Sequence, residues 1–432
     1  MAAKAKLEKT TKFVIVGAGV FGLSTADYLL QRGYSDVTVL DRADVLPAKD
    51  AAGTDINKVV RSSYSDIFYS RLAKEAIELW KDREVWGDTY HESGVFVVHE
   101  STGSETYTDQ SHTNDLAIGS RVVELKAPSD IRAIFPASAK TSSFEGVYGY
   151  LNRDGGWAHA ARGVEILMHK VEKAGAKIVP GKSVVGLLRD ANGKTVGVRC
   201  KDGSRYDADI VVVAAGSWTP SSFPEVDLLG KCLATGQTVA TIQLTQEEAD
   251  KYRECPIVLD FGTDFYVFPP NIDNIVKFAI HNNGFLYKPA PNAPSTPRTS
   301  LSDGEDGLRI PKEVLQKLRT LLRRVYPELA EKPFSGTRLC WYNDSPDDDW
   351  VIGYYPTDPG LVLATAGSGH AYKFLPNIGR LVADAIEGVM EPELVKRFAV
   401  NRETNVHTLS RSNEPSKELD LNQLCTPDDL LP

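Results

Sequence analysis

The sequence predicts an α/β protein in which a domain built on a parallel sheet is interrupted twice by a domain built on an antiparallel sheet. Three observations predict this. A strand–glycine turn–helix–strand pattern opens the chain, a meander with Asn-Gly and Asp-Gly turns returns to a buried strand near residue 214, and strand-like runs fill two long intervals between such pieces. A chain of 432 residues has room for two or three domains, and 42% apolar with 25% charged residues is ordinary for a globular protein.

The opening unit reads strand 13–16, then Gly17-Ala-Gly19-Val-Phe-Gly22, then a helix with apolar residues at Leu23, Ala26, Leu29 and Leu30. Gly33 falls where a helix C-terminal cap belongs, and strand 37–40 ends in Asp41. Bare glycine spacing is weak evidence, because glycines also end strands. Here strand, helix and terminal acid agree, which is the dinucleotide fingerprint. Gly17 allows the tight turn, Gly19 lets a pyrophosphate approach the backbone, and Gly22 lets helix and strand pack closely. Asp41 can accept from a ribose hydroxyl and would repel a 2′-phosphate, so NADP is disfavoured while NAD and FAD stay open.

A second glycine patch, Asp154-Gly-Gly-Trp-Ala-His, is expected to open a helix running to Ala174. Strands 177–179, 184–189, 195–200 and 210–214 follow, separated by Asn192-Gly193 and Asp202-Gly203, and the last ends VVVAAGSW at Gly216. Alternating β-α units would suit an NAD dehydrogenase. A meander returning to a buried strand instead resembles the FAD domains of the glutathione-reductase-like superfamily. The expected division is a discontinuous Rossmann FAD-binding domain (1–89, 151–232, 335–390), an α+β substrate domain (90–150, 233–334) and a C-terminal extension (391–432). A helix is expected over 312–326, and the four prolines of 289–297 mark an exposed loop.

A net charge of −9 argues against nucleic-acid and anionic-membrane partners, and no apolar run reaches a bilayer span. The N-terminal residues are basic without a following signal-peptide core, and the chain ends DLLP rather than in a peroxisomal SKL address. A cytoplasmic monomer is the default expectation, with peroxisomal import by another route open. Cysteines at 200, 232, 255, 340 and 425 are odd in number and widely spaced, so neither disulfides nor a zinc site is expected. No other metal site is expected; Asp347-Asp348-Asp349 reads as a solvated loop.

Cys340 lies in RLCWYNDSPDDDW, between an arginine and two aromatics. It is either a small buried hydrophobe or a reactive thiol, with Arg338 on the same strand face able to favour a thiolate. Further on, Gly367-Ser-Gly369-His370-Ala-Tyr372-Lys373 follows a strand at 361–364 and precedes a helix near 376–387, which suits backbone approach to a ligand.

With GAGVFG and Asp41, the motifs AGTDINKVVR, GGWAHA, VVVAAGSW, KFAIH, RLCWYNDSPD and GSGHAYKFLPNIG run in order from about residue 12 to 390. In these the chain resembles the monomeric sarcosine oxidase, pipecolate/saccharopine oxidase and fructosyl-amino-acid oxidase (amadoriase) group of flavoenzymes. The final forty residues match nothing in that pattern. The resemblance implies FAD, joined covalently through Cys340. It implies that Arg61 and Lys373 clamp the substrate carboxylate, that Lys277 sits at the flavin edge where oxygen reacts, and that His281 faces the substrate amine. Tyr266 matches a substrate-side tyrosine. Without the resemblance, Lys277 and His281 read as a half-exposed strand face.

The branches divide at three positions. AGTDINKVV resembles the amadoriases, which carry a lysine where Lys58 stands. Arg61 is a sarcosine/pipecolate feature, and His281 stands where amadoriases have an acidic residue. Two positions against one favour an N-substituted or cyclic L-amino acid, oxidised at its secondary amine to an imine with O2 reduced to H2O2. A fructosyl amino acid is the alternative, and an oxygen-independent dehydrogenase a third.

Overall fold

The computed structural model describes residues 7–99, 106–404, 411 and 415–432; the basic stretch 1–6 lies outside them. The nucleotide-type sheet has six strands in the order Val351–Tyr355, Asp358–Thr365, Ile210–Val213, Lys12–Val16, Asp36–Leu40, Lys177–Val179. All neighbours are parallel except the outermost pair, Val351–Tyr355 with Asp358–Thr365.

Strand alternation explains how both faces are covered. Phe13, Ile15, Val37, Val39 and Val212 point into one core, against helices Val20–Gln31, Ala160–Lys173 and Ile378–Glu387. Val14, Val16, Val211 and Val213 point to the other side, against Val184, Val198 and Cys200 of the meander. The meander itself pairs Val184–Arg189, Thr195–Cys200 and Arg205–Asp207. The glycine patch at 154–156 starts no helix directly. Gly156–His159 is a strand paired with Asn57–Val60, and the helix begins at Ala160.

The second sheet has ten strands. Leu233–Gln243 lies between Ile275–Ile280 and Gly336–Asp344, both antiparallel to it. Where the two inserted segments meet, Val95–Val98 and Ile257–Asp260 run parallel, so the sheet is mostly rather than wholly antiparallel. Gly336–Asp344, which carries Cys340, thus belongs to this sheet and not to the nucleotide segment expected from residue 335. Val276, Phe278 and Ile280 bury one face against Leu315, Leu318 and Leu322 of helix Lys312–Arg323. Tyr266, Ala279, Cys340 and Tyr342 cluster on the opposite face, towards the nucleotide domain.

The acidic run 347–349 is not a solvated loop. Asp347 and Asp349 are buried. Arg402 pairs with Asp347 at 2.6 Å, Arg397 with Asp349 at 2.6 Å, and Arg411 with Asp348 and with Asp344 at 2.9 Å. The arginines all come from the C-terminal extension, and each neutralises a carboxylate that burial would otherwise penalise. The extension continues across the second domain: Lys417–Glu418 pairs with Phe285–Leu286, and Arg319 donates to the carbonyls of Leu430 and Leu431.

Among the described residues no helix is long and apolar enough to cross a membrane, and no cluster of three or more His, Cys, Asp or Glu is placed to hold a metal. All five cysteines are free and buried.

Candidate active site

A cleft of about 1310 Å³ begins at the Gly17–Gly22 turn and ends at Lys58, Tyr342 and Gly369. Gly17 has φ +114°, and a Cβ there would lie 2.4 Å from the Ala214 carbonyl oxygen; at Gly22 it would lie 1.8 Å from that of Gly17. Around Gly19 there is open space, so its backbone stays approachable. Asp41 accepts from the amides of Ala18 and Ala43 at 2.8 and 2.9 Å, one on each carboxylate oxygen. It therefore braces the turn as well as lining the cleft, and each oxygen keeps a lone pair for a ribose hydroxyl. Burial raises its pKa.

At the far end, Gly216 and Gly367 line the cleft, and Ala366, Ser368 and Gly369 all have left-handed φ of 46–71°. For Ala366 and Ser368 this costs on the order of 1 kcal/mol each. The loop is held by Ser368, whose amide donates to the Asn343 carbonyl at 2.9 Å and whose hydroxyl accepts from the Ser345 amide at 3.1 Å. A Cβ at residue 369 would come within 2.3 Å of the Tyr342 ring and 2.9 Å of His281. Glycine there lets those two rings close on the cleft. Length, backbone-lined turn and ribose acceptor fit FAD.

A second, smaller cavity shares Lys58, Tyr342, Gly369 and Tyr372 with the cleft, and adds Arg61, Tyr266, His281, His370 and Lys373 with Leu259, Phe261 and Phe268. No carboxylate is among its lining residues. Arg61 donates to the Ser63 carbonyl and to the Tyr107 hydroxyl at 3.3 Å, and its guanidinium lies 4.5 Å from the centre of the Tyr64 ring. Lys373 donates to the Tyr64 hydroxyl at 2.7 Å and the His370 carbonyl at 2.9 Å. Among the described residues neither cation pairs with an acid. Burial, then Arg61 and Lys58, push the Lys373 pKa well below the usual lysine value. His281 lies one residue beyond its strand. Burial, then Arg411, Arg61, His370 and Lys373, hold its pKa well below the usual histidine value, so the ring is neutral. Burial raises the Tyr266 pKa.

Lys277 departs from expectation. It shares the site face of its strand but is fully buried and lines neither cavity. Its ammonium contacts Asp55 at 2.6 Å and the Asn57 carbonyl at 2.7 Å. The same Asp55 oxygen takes Lys58 at 3.0 Å, and Arg338 lies 3.7 Å from the other. Lys58 in turn reaches the Cys340 sulfur at 3.3 Å, so Lys58 is the cation in direct contact with that thiol. Burial pushes the Asp55 carboxyl up, yet the three cations hold it well below the usual range. Burial lowers Lys277 to about 8 against the pull of Asp55, with Lys58 pushing the same way. Asp55, Tyr64 and His370 were not picked out from sequence. The Asp55–Lys58 spacing inside AGTDINK was the available signal for the first.

The family model of FAD dependent oxidoreductases matches residues 12–385. The chain belongs to that family. It is 30% identical over 400 residues to L-saccharopine oxidase of Schizosaccharomyces pombe, covering 88% of this chain and 90% of that one. Among solved structures, fructosyl peptide oxidase from E. terrenum superposes with a TM-score of 0.85 at 29% identity, covering 96% and 97% of the two chains. Amadoriase II from Aspergillus fumigatus superposes at 0.82 and 29%, covering 97% and 98%. The protein is an FAD-dependent oxidase of amino acids, acting on CH–NH donors.

Proposed function

We propose that this FAD-dependent oxidase acts on an N-substituted or cyclic L-amino acid of the saccharopine, pipecolate or sarcosine type, converting its secondary amine to an imine while O2 becomes H2O2. The observation that carries the reading is the pair Arg61 and Lys373: two buried basic side chains without an acidic partner among the described residues, on the wall of a cavity that shares lining residues with the cofactor cleft. A substrate carboxylate supplies the missing anion, and the guanidinium fork can bind both oxygens. Phe261, Phe268 and Tyr342 exclude water from the amine, and neutral His281 can accept a hydrogen bond without repelling it. Bound FAD supplies the two-electron acceptor and the route to O2.

Gly17, Gly19, Gly22, Asp41, Gly216, Gly367 and Gly369 would hold the cofactor, with Lys58 and Lys373 at its reactive end. Cys340 is proposed as the covalent attachment, with the Lys58 ammonium 3.3 Å from its sulfur. Yellow colour remaining with acid-precipitated Cys340→Ala protein would falsify that assignment. Lys277 is proposed to favour the oxygen half-reaction through its charge, from behind Lys58. Lys277→Met should then slow reaction with O2 far more than reaction with amine; equal slowing would remove the role.

The second reading, a fructosyl amino acid, is favoured by Lys58 in AGTDINKVV and by the likeness to fructosyl peptide oxidase. Anaerobic mixing with saccharopine, L-pipecolate, sarcosine and fructosyl-valine separates the two. Loss of yellow absorbance with one of the first three supports the proposal. Loss with fructosyl-valine alone replaces it.

A further inference from the structure

The hydrogen bonds around Lys373 run in one direction. The Nε2 of His370 lies 2.9 Å from the Asp348 carbonyl, which only accepts, so Nε2 carries the hydrogen. In the neutral ring Nδ1 is then an acceptor, and the Tyr64 hydroxyl at 3.2 Å donates to it. The Tyr64 oxygen is left to accept from Lys373. Burial, then Lys373 itself, keep His370 far below its usual pKa, consistent with a neutral ring. Two hydrogens of Nζ are thus committed, to Tyr64 and to the His370 carbonyl, and the third valence has no protein partner among the described residues. The Trp80 indole N–H, donating to the Lys373 carbonyl at 2.7 Å, fixes the backbone from the other side.

Charged and titratable groups on this side are Tyr64, His370, Arg61, Lys58, His281 and the cavity tyrosines Tyr266, Tyr342 and Tyr372, none of them an anion; Asp348 acts on Tyr64 and Asp349 on His370, but the charges acting on Lys373 are Arg61 and Lys58. Arg61 cannot shed its proton. Of the two cations that share Tyr64, only the lysine can relieve the repulsion. A valence that is a lone pair before substrate arrives and an N–H afterwards needs no rearrangement of the other two.

We propose that Lys373 stands neutral in the free oxidase and takes the ammonium proton of the incoming amino acid as the carboxylate docks between it and Arg61. An N–H bond of the substrate breaks and an N–H bond to Nζ forms: R2NH2⁺ and lysine NH2 become R2NH and lysine NH3⁺. No electrons change hands in this step. One transfer completes the carboxylate clamp and leaves the amine lone pair free for oxidation.

This role rests on the carboxylate-clamp reading, and the test separates the two. The holoenzyme is titrated calorimetrically with tetrahydrothiopyran-2-carboxylate, a pipecolate analogue with sulfur in place of the amine, in buffers of different ionisation enthalpy at about pH 7.5. Having no proton of its own to give, this probe should draw about one proton from buffer per molecule bound. Uptake should vanish in Lys373→Arg and persist in His281→Asn. In wild type and in His281→Asn, but not in Lys373→Arg, affinity should fall about tenfold per pH unit above the Lys373 pKa. Binding without proton uptake, uptake unchanged in Lys373→Arg, or affinity flat to about pH 10 would each overturn the role while leaving the clamp intact. If the holoenzyme binds neither this probe nor (methylthio)acetate, the clamp reading fails and this role with it.

Discussion

Two groups of basic side chains, buried or half-buried, flank the same cavity and are treated oppositely. Lys58, Lys277 and Arg338 converge on Asp55, a carboxylate with no solvent exposure of its side chain. Arg61 and Lys373 converge on Tyr64, which has no charge to offer. A buried charge without a partner costs several kcal/mol, and packing alone gives no reason to bear it. The compensated group reads as scaffold for the cofactor side, and the uncompensated group as a site completed by an anion from outside.

Substitutions should break this contrast in opposite ways. Asp55→Asn leaves three cations facing one another and should cost about 3–5 kcal/mol of stability. It should appear as a large fall in melting temperature with loss of retained FAD; an unchanged melt would contradict the scaffold reading. Arg61→Met should instead lower kcat/KM by roughly 2–4 kcal/mol, about 30- to 1000-fold, while leaving the melting temperature unchanged or higher. Steady-state kinetics and a melt on one sample check both halves.

The acid side offers a finer probe. His281 and His370 have pKa values held well below 6.5 by burial, so below that pH the unfolded chain binds protons that the folded chain does not. Stability is then lost as pH falls, by roughly 1 kcal/mol per pH unit for each histidine. Denaturant melts between about pH 6.5 and 5 should show it, with a shallower slope in His370→Gln. Tyr64→Phe, which removes only the hydroxyl between Lys373 and His370, should have the smallest effect, about 1 kcal/mol in kcat/KM. An effect as large as that of Arg61→Met would mean that Tyr64 is itself a substrate ligand.

What the sequence made legible was local. The Gly17–Gly22 turn, the helix after it and the meander follow from short-range patterns, and the structure has them within a residue or two of expectation. Depth and distant partners were not legible. Alternation puts Lys277 on the site face, but nothing local says that Asp55 and Lys58 occupy the space in front of it. The acidic run 347–349 looked solvated because its arginines stand about fifty residues later in the chain. Nothing local separates the Cys340 strand from the nucleotide segment expected from residue 335, because its partner, Leu233–Gln243, is about a hundred residues earlier. Tyr64 has an ordinary local context, and His370 stands inside the Gly367–Lys373 motif without a role that the motif assigns; their meeting at Lys373 marks them.

If Arg61 and Lys373 await a carboxylate, they must tell apart two ligands that differ only in that charge. The amino acid that removes the yellow absorbance fastest under anaerobic conditions is compared with its primary carboxamide, identical in shape but without the charge. The amide should lose at least about 100-fold in the rate constant per unit concentration, and the difference between the two should shrink sharply in Arg61→Met. An amide that reacts as well as the acid in the wild-type protein would contradict the carboxylate clamp.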